Sequence, residues 1–229
     1  TVVLLVELIV VVTQITHRNH KYAFRKYKIK TVENKHTHLV PEELEQLERL
    51  SLTDKHMKLQ KSLDAFLFCC YAGMRYSDFT NLSKKNIVDI NQETWLIYKS
   101  VKTGTEVRLP LYLLFAGKGI VILNKYRNNL ENFFRLRDNS NINKDLIIIA
   151  KLAGLSKKIS FHTARHTNAT LLIYNGVNIT TVQKLLGHKS VKTTQVYTNI
   201  MDMTIVHDLE KIKQAALGIK KKTDNSFNK

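Results

Sequence analysis

The sequence predicts an α+β fold, mainly α-helical with one small antiparallel β-sheet. Three observations predict it. The 229 residues are 44% hydrophobic but include only 8 Gly and 2 Pro, so long stretches lack helix breakers. Past residue 39, apolar residues recur at helical spacing in most segments, and Gly or Asn stands where those patterns stop. Only one pair of neighbouring stretches alternates as strands do.

The opening TVVLLVELIVVV is apolar for 12 residues and carries Glu7. A bilayer span needs roughly 20 apolar residues. The basic residues follow the apolar run, whereas a secretory signal has them in front. Residues 1–16 are therefore expected to form a packing helix of a domain cut upstream. Residues 17–38, HRNHKYAFRKYKIKTVENKHTH, hold seven Lys or Arg against one Glu without apolar periodicity, which predicts an exposed basic linker. Their four histidines lack a regular ligand spacing and acidic or cysteine companions, so no metal is expected there.

A new domain opens at about residue 39. Pro41 at a first-turn position, early acidic residues and spaced leucines start a helix in VPEELEQLERLSL. A largely apolar helix runs from Leu59 to Tyr71 and stops at Ala72-Gly73. TWLIYKS and EVRLPL form two strands, and the connecting VKTGT places Lys102 at the turn tip. Helices are predicted over 117–136 and 142–154, the second closing at Gly154. FHTARHTNATLLIYNG gives a helix ending at Asn175-Gly176, and NITTVQKLLG another with Asn178 as cap and Gly187 as stop. Ser190 can cap a last short helix carrying Tyr197. The final KKKTDNSFNK has the composition of a disordered tail.

Thirty-six Lys and Arg against 19 Asp and Glu give a net charge of +17. That excess points to a polyanionic partner, above all nucleic acid. Cys69 and Cys70 are adjacent and have no third cysteine, so neither a disulfide framework nor a thiolate metal site can form. Buried free thiols in a reducing compartment are expected.

In HTARHT, the side chains of His162, Arg165 and His166 can share one helix face. Histidines four apart occur in zinc hydrolases, but the general-base Glu that must follow the first of them is here Thr163. What remains is Arg and His pointing the same way. Arg binds phosphoryl oxygens bidentately, and His moves protons near neutral pH. Arg75, in YAGMRYSDFTNLS, directly follows an apolar helix and has Asp78 as an alternative surface partner. Lys102 reads equally as a solvated hairpin lysine, and His188 as a polar residue at a helix C-terminus.

The ordered set Arg75, Lys102, His162 to Arg165, His188 and Tyr197 resembles the tyrosine recombinases of the phage-integrase family. Five separated motifs carry the resemblance over about residues 39–205: GMRYSD, KTGTEVRLPL, HTARHT, LLGH and QVYTN. LGHKSVKTTQVYTNI is itself similar to integrases of mobile genetic elements. The resemblance implies the recombinase catalytic-domain fold and a site-specific DNA recombinase, or integrase, that cleaves and rejoins DNA through a 3′-phosphotyrosyl intermediate without metal, ATP or other cofactor. Tyr197 would be the nucleophile, and Arg75 and Arg165 would stabilise the phosphoryl oxygens. Lys102 would protonate the leaving oxygen, His162 would act as base toward the tyrosine, and His188 would hydrogen-bond the phosphate. Two guanidiniums and a lysine also suit a phenol that ionises near pH 10 and needs activation.

The same resemblance implies four parts. Residues 1–16 would be the last helix of a truncated N-terminal DNA-binding domain, 17–38 the linker, 39–205 the catalytic domain, and 206–229 a C-terminal helix and tail. Double-stranded DNA would be the partner, with backbone contacts from Lys192 and from linker residues Arg25, Lys26, Lys28 and Lys30. In the tail, Val206, Leu209, Ile212 and Leu217 stand at near-helical spacing. Donation of that helix to a neighbour implies a homotetramer on two duplexes, in the bacterial cytoplasm on the nucleoid and away from membranes. Two alternatives share the residues: a monomeric type IB topoisomerase-like enzyme, and a DNA-binding fragment with weak catalysis. Asn168 departs from the family in a position where relatives commonly carry an aromatic or apolar residue, and Asp78 replaces a common Glu.

Overall fold

The computed structural model describes residues 37–197, together with Leu209 and Lys213. The expectations for residues 1–36, including Arg25, Lys26, Lys28 and Lys30, lie outside the described residues, as does nearly all of the tail beyond Tyr197. The described elements run α1 (Pro41–Glu48), a 3-10 turn (Asp54–Leu59), α2 (Gln60–Ala72), α3 (Tyr76–Thr80), β1 (Ile87–Ile90), β2 (Glu93–Lys99), β3 (Glu106–Pro110), α4 (Lys118–Lys125), α5 (Leu130–Phe134), α6 (Asn139–Leu152), α7 (Phe161–Tyr174), α8 (Ile179–Leu186) and α9 (Lys192–Gln195). The predicted class, helical with a small antiparallel sheet, is the observed one.

Helix α2 is the centre of the core. Ser62 through Ala72 are all buried, so this helix is covered on every side. It packs most extensively on α7 and also meets α1, α4, α5 and α6. An aromatic cluster fills one flank: Phe79 meets Phe133 edge-on at 5.3 Å, and Tyr126 stacks on Phe133 at 4.1 Å. Asp64, buried on α2, accepts from the Tyr126 hydroxyl at 2.8 Å and from Lys125 at 3.0 Å, so its charge is compensated. Cys69 and Cys70 are buried free thiols, as expected, and burial pushes both well above the ordinary thiol range.

The sheet has three antiparallel strands in the order β1-β2-β3, with Leu96 opposite both Ile87 and Leu109. Leu96, Tyr98, Val107 and Leu109 turn inward and are buried, the alternation expected of a sheet with one covered face. β1 has no counterpart in the two-strand prediction. Its turn is Asn91-Gln92, and both residues hold positive φ, 53° and 66°. That is a two-residue hairpin turn made without the glycine that usually announces one.

Two other boundaries shift. The helix predicted over 117–136 is broken between α4 and α5, where the Asn129 side chain accepts from the Asn132 N–H and starts a new helix. The helix predicted from 142 begins at Asn139, because Asp138 caps it by accepting from the Asn141 N–H at 3.1 Å.

The junction of α2 with α7 turns on a glycine and an asparagine. Gly73 ends α2 in the left-handed region at φ +66°. The last carbonyls of α2 have no intrahelical donors. Asn168 on α7 supplies them, its Nδ2 donating to the Cys70 and Tyr71 carbonyls at 2.9 Å each. Asn168 is thus a buried cap, which accounts for a polar residue on the inner side of the arginine-bearing helix. A Cβ at Gly73 would lie 2.6 Å from Asn168 Oδ1 and 2.8 Å from Leu186 Cδ2. Gly73→Ala is therefore expected to destabilise the fold by more than about 2 kcal/mol, from left-handed strain and overpacking together, read as a lowered denaturant midpoint.

Candidate active site

Arg75 and Arg165 both stand at the end of α2, close enough for their charges to act on each other. Arg75 is the N-cap residue of α3, in extended conformation, immediately after the Gly73-Met74 turn. Its Nη1 donates to Ser100 Oγ at 3.2 Å and lies 3.5 Å from Asp78 Oδ2. Asp78 is buried and also accepts from the Val101 N–H at 2.8 Å and from the Ser100 hydroxyl. One carboxylate thereby fixes both the first arginine and the end of β2, where the turn bearing Lys102 begins.

Arg165 is 1% exposed. Its Nη1 donates to the Gly73 carbonyl at 2.7 Å and its Nη2 to the Leu186 carbonyl at 2.6 Å. These are the carbonyls at the ends of α2 and α8, so the side chain ties two helix C-termini together. Burial, then the facing Arg75, push this guanidinium down to about 10, which leaves it charged at neutral pH. Among the described residues, no carboxylate stands within ion-pair distance of Arg165.

His188 follows Gly187, the left-handed cap of α8. Its Nδ1 lies 2.9 Å from Thr194 Oγ1 on α9, and its carbonyl accepts from Gln183 Nε2 at 3.1 Å. Burial, then Arg165, Arg75 and His162, push it down to about 4. At neutral pH it is an uncharged hydrogen-bonding group. Because its folded value lies below the ordinary 6.5, the unfolded chain takes up the proton first. Stability is full above pH 6.5 and is lost as pH falls toward 4. Between pH 7 and 5 this group is expected to cost about 2 kcal/mol of stability. Urea midpoints across that range check it: His188→Asn should flatten the slope by that amount.

Lys102 is exposed on the β2–β3 turn, as predicted. Its neighbour Thr103 donates from Oγ1 to the Gly187 carbonyl at 3.1 Å, which holds the turn against the residue preceding His188. Tyr197 lies just beyond α9, with its N–H donating to the Thr194 carbonyl at 3.1 Å, and Ser190 Oγ accepts from the Lys192 N–H at the other end. The Tyr197 ring is 4% exposed. Burial raises its phenol above the ordinary value, while Arg165 and Arg75 pull it down.

The nitrogen meeting that phenol is on His166, whose Nδ1 lies 3.1 Å from Tyr197 Oη. His162 is exposed one turn earlier on α7, its ring edge-on to that of His166 with centroids 4.4 Å apart. The sequence places both histidines on one face and carries no signal that separates buried His166 from exposed His162. Tyr98, also outside the predicted set, is buried on β2 near Asp78, Arg165 and Arg75, and its hydroxyl has no hydrogen-bond partner among the described residues. Lys192 is exposed on α9.

Two guanidiniums, an uncharged imidazole and a phenol converge here with one carboxylate, Asp78. Such an excess of positive charge, buried at Arg165 and partly buried at Arg75, fits an anion with several oxygens. Among the described residues, no group of three His, Cys, Asp or Glu is arranged to hold a metal, and no helix is long and apolar enough to cross a membrane.

Comparison with known proteins gives the same frame. The family profile described as "Phage integrase family" matches residues 37–203. The chain is similar to the tyrosine recombinase XerC of Rickettsia prowazekii, 30% identical over 159 residues, covering 66% of this chain and 49% of that protein. It is also 30% identical over 181 residues to a tyrosine recombinase of Pseudothermotoga lettingae, covering 77% and 60% respectively. It thus spans about half the length of the curated relatives it matches. Among solved structures, the XerH site-specific recombinase bound to its palindromic difH substrate, in a post-cleavage complex, superposes with a TM-score of 0.61 at 21% identity, covering 81% of this chain and 56% of that one.

Proposed function

The chain belongs to the phage integrase family, and from that premise we propose that it is a site-specific DNA recombinase or integrase of a mobile element, acting through a 3′-phosphotyrosyl intermediate. One observation carries the proposal: a buried phenol, Tyr197, lies in the field of two guanidiniums, one of which, Arg165, donates to two backbone carbonyls and has no carboxylate within ion-pair distance among the described residues. A DNA phosphate supplies the missing anion.

Arg75 and Arg165 hold the non-bridging oxygens and gain strength as charge builds on them in the transition state. His188, uncharged, donates a hydrogen bond to the same phosphate. Tyr197 Oη attacks phosphorus and forms the tyrosyl ester. The bond to the 5′-oxygen breaks, and Lys102, on its tethered turn, gives that oxygen a proton. His162 belongs to the path by which the phenolic proton leaves. One phosphoester replaces another, so no ATP is required, and the cations perform the stabilisation that a metal provides elsewhere.

Residues 39–205 are the catalytic domain in this proposal. Residues 1–16 are the last helix of a DNA-binding domain and 17–38 a basic linker, whose Arg25, Lys26, Lys28 and Lys30, with Lys192, contact the DNA backbone. Residues 206–229 carry the helix donated to the next subunit of a homotetramer on two duplexes. The setting is the cytoplasm, on chromosomal DNA.

A pool of nicked duplexes with a randomised core tests the chemistry, because loss of the short strand beyond the nick traps any covalent product. The 229-residue chain should give a protein–DNA adduct that survives denaturing electrophoresis and forms equally in EDTA. No adduct, or one abolished by EDTA, would contradict the proposal.

A further inference from the structure

His166 Nδ1 lies 3.1 Å from Tyr197 Oη, within reach of direct proton transfer. Both side chains are buried, at 7% and 4% exposure. The ring planes are inclined by 53° with centroids 5.5 Å apart, a side-on approach that joins the groups through their polar atoms. A phenol raised by burial is a poor nucleophile until a neighbour accepts its proton. His162, the exposed histidine of the pair, has its ring against that of His166 at 4.4 Å.

We propose that His166 is the group that takes the hydroxyl proton of Tyr197, and therefore a further catalytic residue. The inference rests on the phosphotyrosyl chemistry proposed above. In the resting site, His166 carries its proton on Nε2 and accepts from Tyr197 at Nδ1. As the Oη–P bond forms, the phenolic proton passes to Nδ1 and an imidazolium results. The P–O5′ bond breaks, and the leaving oxygen takes a proton from Lys102. On rejoining, the 5′-hydroxyl attacks, Lys102 recovers its proton, and the imidazolium returns one to the departing phenolate. His162, between this buried ring and solvent, is the adjoining member of the proton path.

Two measurements test the assignment. Nitrogen-15 NMR of histidine-labelled protein, without DNA, reads the tautomer directly. The proposal requires an unprotonated Nδ1 on His166, assigned by its change in Tyr197→Phe. A protonated Nδ1 facing the phenol oxygen would overturn the proposal, since that atom then has no lone pair for the proton. His166→Asn retains a polar side chain but cannot act as the base. With the same nicked pool, it should slow adduct formation by about 10²–10³-fold, with a melting temperature lowered by no more than about 4 °C and unchanged duplex binding. Cleavage by folded His166→Asn at close to the wild-type rate would also overturn it. If wild type forms no adduct while Nδ1 is unprotonated, the recombinase chemistry is what fails, and the base assignment falls with it.

Discussion

Tyr197→Phe is expected to eliminate covalent attachment to DNA, a loss of at least about 10⁴-fold, while leaving non-covalent duplex binding close to wild type. The substitution removes one oxygen and keeps the ring that fills a site only 4% exposed. What the fold loses is the contact with His166 Nδ1, worth about 1 kcal/mol. Arg75, Arg165 and His188 remain to hold a phosphate, so affinity is separated from reaction. Gel mobility shift and denaturing electrophoresis on the same samples make the comparison. An adduct that persists in the variant would mean that another side chain attacks.

Arg165 has the second largest expected effect, and it acts on stability and chemistry together. Arg165→Ala leaves the Gly73 and Leu186 carbonyls without their donors and opens a void among residues nearly free of solvent. Relief of repulsion with Arg75 offsets part of that cost. A net loss of about 3 kcal/mol is expected from unsatisfied carbonyls and cavity, read in a urea titration. Arg165→Lys preserves charge but cannot span two carbonyls and grip a phosphate with one planar group. It should keep most of the stability yet lose about 10²–10³-fold in adduct formation. Wild-type cleavage by Arg165→Lys would place the phosphate elsewhere.

Much of this fold is legible in the sequence because local signals and tertiary packing agree. The apolar run before Gly73, Asn178 and Gly187 around α8, and the TWLIYKS–EVRLPL pair each specify an element alone. β1 escapes because Asn91-Gln92 makes its turn without glycine. The break between α4 and α5 escapes because Asn129, a cap, follows a segment with helical periodicity. Arg75, Arg165, His188 and Tyr197 are legible as a set only through the resemblance to the family, and the structure brings them into one electrostatic cluster. Which histidine of HTARHT meets the phenol is not legible. Both lie on one face, and the choice depends on where α9 delivers Tyr197 against α7, a long-range feature that no local pattern encodes. Asn168 shows the same limit. Its polarity looks out of place in the helix until the carbonyls of Cys70 and Tyr71 are seen above it.

In the proposed reaction Tyr197 Oη becomes joined to a DNA 3′-phosphate, and mass mapping of the trapped adduct reads that bond. After digestion with protease and nuclease, the modified peptide should be the one containing Tyr197, with the nucleotide attached through its 3′-phosphate. A nucleotide on any other residue, or a link through a 5′-phosphate, would contradict attack by Tyr197 on a 3′-phosphate.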